Sequence, residues 1–327
     1  MQKNDPLVTE IGELESIRLS TAEFRGVSST LVGPGDDAAA IALSGPSVVI
    51  TTDTMVQGHD FDLNFSTGFD LGFKAVATNV ADVVAMGAQP IALVVAMTVT
   101  KQTRLSWLVD FARGLQAGID ELAPDAAVVG GDIATAESIF ISVTAHGDLQ
   151  GRNPILRSSA QSGDQVAICG TLGKAAAGLQ LLQHSDSTLA QSYPELVEIQ
   201  LRPRPPIATL LANLDQITAM LDVSDGLSTD ARRIATASKV ELKLDSGLLL
   251  GYAAILEQAA MSLESRGEKV DPMDWVLHGG EDHAFLVTLK PGPIPKGFKL
   301  IGQVVEGRGV LLDDKPLVPR GWDSVAD

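Results

Sequence analysis

Ala219-Met220-Leu221-Asp222-Val223-Ser224-Asp225-Gly226-Leu227-Ser228-Thr229-Asp230 decides how this chain is read. Residues 219–223 have the apolar, β-rich character of a strand that stops at an acidic turn. Residues 227–237 continue with helical spacing, which predicts a helix with Asp230 and Arg233 exposed. Four more acidic segments stand where an apolar run meets a glycine- or hydroxyl-rich turn: Asp36-Asp37, Thr51-Thr52-Asp53, Gly130-Gly131-Asp132 and Gly279-Gly280-Glu281-Asp282. Arg and Lys are absent from all of them. Carboxylates partly withdrawn from water repel one another and must protonate, pair with a base or bind a metal. Oxygen donors of this kind suit hard cations, magnesium being the usual choice. Taken singly, each segment has a plainer reading: Asp36-Asp37 as a turn, Asp132, Asp222 or Asp225 as a helix N-cap. Their repetition, with Asp82 inside an otherwise apolar helix, favours a shared site.

A chain of 327 residues is long enough for two domains with separate cores. Hydrophobic residues make up 45% but aromatic ones only 4%, so the cores are built from Ala, Val, Leu and Ile, as suits α/β architecture. Forty-one acidic residues against 24 basic ones give a net charge of -17, which disfavours nucleic acid and anionic lipid as partners. The single cysteine, Cys169, reads as a buried strand thiol and fits a reducing compartment. No run reaches the roughly 18 apolar residues of a membrane span, and the amino terminus carries no apolar stretch, so a cytoplasmic location is expected.

Periodicity predicts a helix over residues 10–24 with Ile11, Leu14, Ile17 and Phe24 on one side, then strands over 38–43 and 47–52 paired as a hairpin that delivers Asp53. A helix over 70–86 ends at Gly87 and carries Asn79 and Asp82. A strand over 91–99, a helix over 104–122 and strands over 126–129 and 138–144 follow. Residues 147–163 have the composition of a linker. Beyond it come a strand over 165–169, a helix from Lys174, a helix running to Leu214, a helix over 252–264, and strands over 284–289 and 300–305. Gly170-Thr171-Leu172-Gly173-Lys174 looks like a phosphate loop, but Ile168 stands where the first glycine belongs and Ala175 replaces the hydroxyl residue. Lys174 is either a surface lysine or a phosphate contact.

The segments GPGDDAA (33–39), TTDT (51–54), KAVATNVADVVAMGAQP (74–90), VVGGD (128–132), LRSSAQSGDQVAICG (156–170), LDVSDGLSTD (221–230) and HGGEDHAF (278–285), in this order, resemble the thiamine-monophosphate kinases of the aminoimidazole ribonucleotide synthetase superfamily. The resemblance implies an α/β (α+β) fold of two domains. Residues 1–148 would bind ATP and metal and dimerise through their sheet, and residues 149–327 would form a C-terminal α/β domain. It implies ATP-dependent phosphorylation of thiamine monophosphate to thiamine diphosphate by in-line transfer, with ATP as co-substrate, several Mg2+ ions and a homodimer. Asp36, Asp37, Thr51, Thr52, Asp53, Asp82, Asp132, Asp222 and Asp225 fall on or beside the family's metal ligands, Asp53, Asp222 and Asp225 being the expected catalytic set. Gly131, Asp132, Arg157 and Ser224 fall on nucleotide-contacting positions. Glu281 and Trp322 fall on positions that contact the thiamine phosphate. The family commonly has a substrate-contacting His directly before Phe, whereas here the order is His59-Asp60-Phe61, so either His59 or Asp60 takes that role. Trp322 could stack on a cationic thiazolium ring. The alternatives are another ATP-dependent enzyme of the superfamily or a non-enzymatic divalent-cation binder. The absence of a reactive N-terminal cysteine and of a cysteine-bearing tail argues against selenophosphate synthetase and the hydrogenase-maturation enzyme.

Overall fold

The computed structural model describes residues 5–34 and 38–322. The chain falls into two compact units, one of residues 1–84 with 88–153 and one of residues 85–87 with 154–327. Both mix helices with sheets, as the α/β (α+β) expectation requires.

In the first unit, α1 (Val8–Ile11) and α2 (Glu13–Thr21) precede β1 (Thr30–Val32), β2 (Ala40–Ile41) and β3 (Val48–Val56). Then come α3 (Gly68–Ala85), β4 (Gln89–Val99), α4 (Leu105–Leu122), β5 (Ala127–Thr135) and β6 (Phe140–Asp148). Strands β3, β6, β4 and β5 form a four-stranded sheet in that order, antiparallel except for the β4–β5 pair. Alternation along β6 buries Ile141, Val143 and Ala145 and leaves Ser142, Thr144 and His146 less covered, so one sheet face carries the core. Helix α3 is started by a reciprocal cap, in which the Asp70 carboxylate accepts from the Thr67 amide (3.0 Å) and hydroxyl (2.6 Å) and the Thr67 hydroxyl accepts from the Asp70 amide (3.2 Å). Helices α3 and α4 approach backbone to backbone: a side chain at Gly72 would run into the Phe111 carbonyl and one at Gly114 into the Phe69 carbonyl.

The second unit contains β7 (Gln165–Cys169), α5 (Lys174–Gln183), α6 (Thr188–Ser192), α7 (Pro194–Leu201), α8 (Ile207–Leu211) and β8 (Ile217–Val223). These are followed by α9 (Leu227–Ser238), β9 (Glu241–Leu244), α10 (Ser246–Glu264), α11 (Pro272–His278), β10 (Ala284–Leu289), β11 (Phe298–Val305), β12 (Gly309–Leu312) and β13 (Lys315–Pro316). Its seven-stranded sheet runs β13-β12-β9-β11-β7-β10-β8, with only β12 and β9 parallel among the pairs. The core joins Val166, Ile168, Leu221, Ile234, Leu256 and Leu286. Cys169 is buried there, and burial pushes its thiol up to about 12. Helix α10 is, by length and a mean hydropathy of 1.2, apolar enough to cross a membrane, although Glu257, Gln258 and Ser262 break it into shorter apolar runs. Its Leu249, Tyr252, Leu256 and Leu263 pack into this core.

Four sequence expectations are corrected. The opening helix breaks at Gly12 (φ 81°), and Leu14 points into solvent, because the covered face of α2 is made by Ser16 and Ser20, whose hydroxyls donate back to the Gly12 and Ser16 carbonyls. The hairpin over 38–52 does not form: β2 pairs with β1, and β3 pairs with β6 over nine residues from Val48 to Val56, a longer ladder than a local hairpin provides. Asp53 therefore lies within a strand, as does Asp132, because β5 continues through Gly130-Gly131 to Thr135. Asp230, expected in solvent, is fully buried, for it shares the inward face of α9 with Leu227, Ala231 and Ile234.

Gly114→Val is expected to destabilise the first unit by about 3 kcal/mol or more, since the α3 backbone has no room to yield. Gly251→Ala, at an exposed α10 position where a Cβ meets nothing, is expected to stabilise by about 0.5 to 1 kcal/mol. Urea denaturation followed by circular dichroism measures both.

Candidate active site

In the first unit the site residues gather on β3, α3 and β5. The Thr51 hydroxyl donates to the Asp82 carboxylate at 2.9 Å, joining strand to helix, and Asp53, two residues on, shares that strand face by alternation. One Asp53 oxygen accepts from the Thr54 amide at 2.8 Å. Thr52 points to the other face, its hydroxyl donating to the Val143 carbonyl at 3.0 Å and accepting from Thr144 at 3.2 Å. Asp53 lies in register with Val143, Val143 with Val95 and Val95 with Gly131, so Gly131 stands in the same row across the sheet. A side chain at Gly131 would overlap the Val95 carbonyl. Asp132 falls in the next row, with Ala96 and Ser142, on the opposite face. In the turn after β3, Asp60 accepts from the Val56 amide at 2.7 Å and lies 3.0 Å from His59 Nδ1, which leaves His59 the more exposed of the two. Asp36 and Asp37 lie outside the described residues.

The second unit draws its acidic residues tightly around the turn between β8 and α9. Asp222 Oδ2 lies 3.1 Å from His283 Nδ1. The Asp225 amide donates to Asp230 at 3.1 Å, and the Arg233 guanidinium donates to Asp230 at 2.6 Å while also gripping Asp225. Burial, with the charges of Asp222 and Asp225 added, pushes the Asp230 carboxyl up to about 7 against the opposing pull of Arg233. The segment 279–283 is laid on this turn by the Glu281 amide donating to the Ser224 carbonyl (2.8 Å) and the His283 amide to the Val223 carbonyl (3.2 Å). The carboxyl-terminal segment closes on it too, the Trp322 amide donating to the Asp225 carbonyl at 3.1 Å. Thus Asp222, Ser224, Asp225, Glu281 and Trp322 are brought together. Gln200 donates to Glu281 at 2.7 Å, and the Trp322 ring is half exposed.

Arg157 is placed elsewhere. Its carbonyl accepts from the Ser238 hydroxyl at 2.8 Å, at the carboxyl end of α9, whereas Ser224 and Asp225 precede the amino end of that 12-residue helix. Among the described residues, no three His, Cys, Asp or Glu side chains stand grouped so as to hold a metal ion. The loop that looked like a phosphate site is filled from within. Asp282 accepts from the Thr171 hydroxyl (2.8 Å) and from the Lys174 (3.2 Å) and Ala175 (3.4 Å) amides at the start of α5. Burial pushes its carboxyl up to about 6 although these donors pull it down.

Sequence reasoning missed Asp230, Arg233, His283 and Gln200 as members of this constellation. Asp230 could have been found, since it stands three residues after Leu227 and four before Ile234 on the apolar stripe. The His283 and Gln200 contacts join distant elements and leave no local signal. For Asp230 the folded carboxyl titrates above its ordinary value of 3.8, so protonation favours the fold and stability is lost as pH rises from about 4 through about 7. Asp230→Asn is expected to remove roughly 2 to 3 kcal/mol of stability loss between pH 5 and pH 8. Chemical denaturation of both proteins in EDTA tests this, equal pH slopes being the contrary result.

Comparison with known proteins identifies the family. The family described as AIR synthase related protein, N-terminal domain, matches residues 35–149. The chain is 38% identical over 325 residues to the thiamine-monophosphate kinase of Mycobacterium tuberculosis, covering 98% of this chain and 94% of that one. The crystal structure of thiamine-monophosphate kinase from Stenotrophomonas maltophilia superposes with a TM-score of 0.76 at 31% identity, covering 93% of this chain and 96% of that one. A solved relative complexed with AMPPCP and TMP superposes with a TM-score of 0.71 at 27% identity, covering 96% and 97%. With relatives of this identity matched along nearly its whole length, the chain belongs to the thiamine-monophosphate kinase family.

Proposed function

We propose that this protein transfers the γ-phosphoryl group of ATP to thiamine monophosphate, giving thiamine diphosphate. The observation that carries the reading is the 38% identity to a thiamine-monophosphate kinase across 98% of the chain. The relative that holds AMPPCP, an ATP analogue, together with TMP supports the choice of both substrates. In this reading residues 1–148 bind nucleotide and metal and residues 149–327 form the C-terminal domain. The protein works as a cytoplasmic homodimer. Exposed apolar residues on the β3–β6 part of the outer sheet face, Val48, Ile50 and Val56 on β3 and Phe140 on β6, favour pairing through that part.

Magnesium belongs to the same reading. The donors at Thr51, Thr52, Asp53, Asp82, Asp132, Asp222 and Asp225, with Asp36 and Asp37 added from the sequence, are all hard oxygens. Burial first, and the charges of Asp222 and Asp225 second, raise Asp230, and a cation beside those two carboxylates would relieve the second of these. Bound there, Mg2+ would neutralise phosphoryl charge and hold donor and acceptor in line.

The remaining work falls to the chain itself. A phosphate monoester has its second pKa near 6 and is already anionic at neutral pH, so no general base is needed. His283 holds Asp222 and Arg233 holds Asp225, fixing both carboxylates. Gly131 lets nucleotide approach the backbone and Ser224 adds a contact to it, while Asp132, on the other sheet face, and Arg157, at the far end of α9, take nucleotide-contacting roles, Arg157 as a phosphate clamp, from the resemblance alone. Glu281, steadied by Gln200, complements the cationic thiazolium, on which Trp322 stacks, and His59 or Asp60 completes the substrate contacts.

Incubation with ATP and thiamine monophosphate is expected to yield thiamine diphosphate and ADP with Mg2+ and neither with EDTA. A chain that binds Mg2+ but makes no thiamine diphosphate would be a cation binder or another enzyme of the superfamily. Asp53→Asn and Asp222→Asn are each expected to lower kcat by about a thousandfold or more while far-UV circular dichroism is unchanged. Unaltered turnover at saturating Mg2+ would remove either residue from the site.

A further inference from the structure

We propose that Asp282 is a positioning residue whose buried carboxylate, docked on the first turn of α5, fixes the backbone that aims Glu281 at the substrate side and His283 at Asp222. The inference rests on the proposed function for the roles of Glu281 and Asp222. Asp282 is 3% exposed and accepts hydrogen bonds from Thr171, Lys174 and Ala175, more than 100 positions away in the chain. An ordinary helix cap comes from the residue just before the helix; that position here is Gly173, which offers no side chain. The anion at the α5 amino terminus is thus supplied by the segment that carries the site.

The residues on either side of Asp282 are held in unusual backbone. Glu281 has φ 66° and His283 φ 47°, a left-handed region that non-glycine residues enter only when surroundings impose it. Two amides of the segment are tied to the β8–α9 turn at Ser224 and Val223, and a side chain at Gly280 would overlap the Ser224 carbonyl. These ties fix one edge of the segment; the Asp282 carboxylate fixes the other. Between the two, Glu281 meets Gln200 on α7 at 2.7 Å and His283 meets Asp222 at 3.1 Å. One buried anion therefore sets the direction of a thiamine-facing carboxylate and of the imidazole that steadies an expected metal ligand. It also accounts for the resemblance of residues 170–174 to a phosphate loop: the amides are arranged for an anion, and the chain provides it.

The test uses the full chain with Asp282→Asn, which keeps the size and loses the charge, and Thr171→Val, which removes one donor and keeps the shape. For Asp282→Asn the KM for thiamine monophosphate is expected to rise about tenfold or more with the KM for ATP within about twofold. The double variant Asp282→Asn/Glu281→Gln is expected to be no worse in that KM than Glu281→Gln alone, because Asp282 acts through Glu281. Thr171→Val gives a smaller shift in the same direction, and serves if Asp282→Asn fails to fold. An unchanged KM in both variants, or effects that multiply in the double variant, overturns the inference. If the wild-type protein makes no thiamine diphosphate, the kinase reading falls by itself. The crystal structure of Asp282→Asn then decides: displaced Glu281–Gln200 and His283–Asp222 contacts uphold the positioning role, and intact ones overturn it.

Discussion

Carboxylates crowded on one turn need counter-charge, and the second unit is organised around supplying it. Asp222, Asp225 and Asp230 fall within nine consecutive residues between β8 and α9. Each meets the demand differently. Asp230, fully buried, moves toward the protonated form. Asp225 shares the Arg233 guanidinium with it, and Asp222 is met by His283. Removing Arg233 would leave Asp230 with the Asp225 amide as donor and move its carboxyl further toward the protonated form. The glycines beside the turn follow from the same crowding. At Gly226, Gly280 and Gly321, a side chain would overlap the carbonyls of His278, Ser224 and Asp225, so three backbone segments can approach closely only because these positions lack a Cβ.

The first unit solves a different problem, that of presenting oxygen donors from regular structure. Among the described residues, Thr51, Asp53, Asp82 and Asp132 sit on strands and a helix. Thr51 and Asp53 alternate on one face of β3, and Asp82 reaches them from α3, whose own position is fixed by glycine-to-backbone contacts with α4. A strand and a helix give such donors a rigidity that loops lack, and that rigidity suits the placement of two anionic substrates.

The parts of the fold legible in the sequence are those whose stability is local. Helices α3 and α4 and strands β4, β7 and β10 carry enough periodic apolar residues to announce themselves, and β7 has its expected bounds of 165–169. Strands β9, β12 and β13 are two to four residues long, and nothing in so short a run separates them from loop; they exist because β11 and each other offer hydrogen-bonding edges. The hairpin expected over 38–52 failed for the converse reason, since β3 found a longer partner in β6, far along the chain. At the site, the acidic residues were legible as chemistry because carboxylates without bases ask for an explanation. Their partners His283 and Gln200 were not, because a contact spanning 61 or 81 residues is decided by topology.

The α5 amino terminus sharpens what kind of kinase this chain can be. A helix start with free amides carries about half a positive charge and is the common protein device for holding phosphate. Here that device is occupied by Asp282. With a net charge of -17 and acidic residues among the candidate site residues of each unit, the protein itself repels a nucleoside triphosphate and a phosphate monoester. In the proposed reading the attraction comes from hard cations carried with the nucleotide, which reverse the sign of such a surface. The carboxylates then cease to be an obstacle to binding two anions and become the means of it.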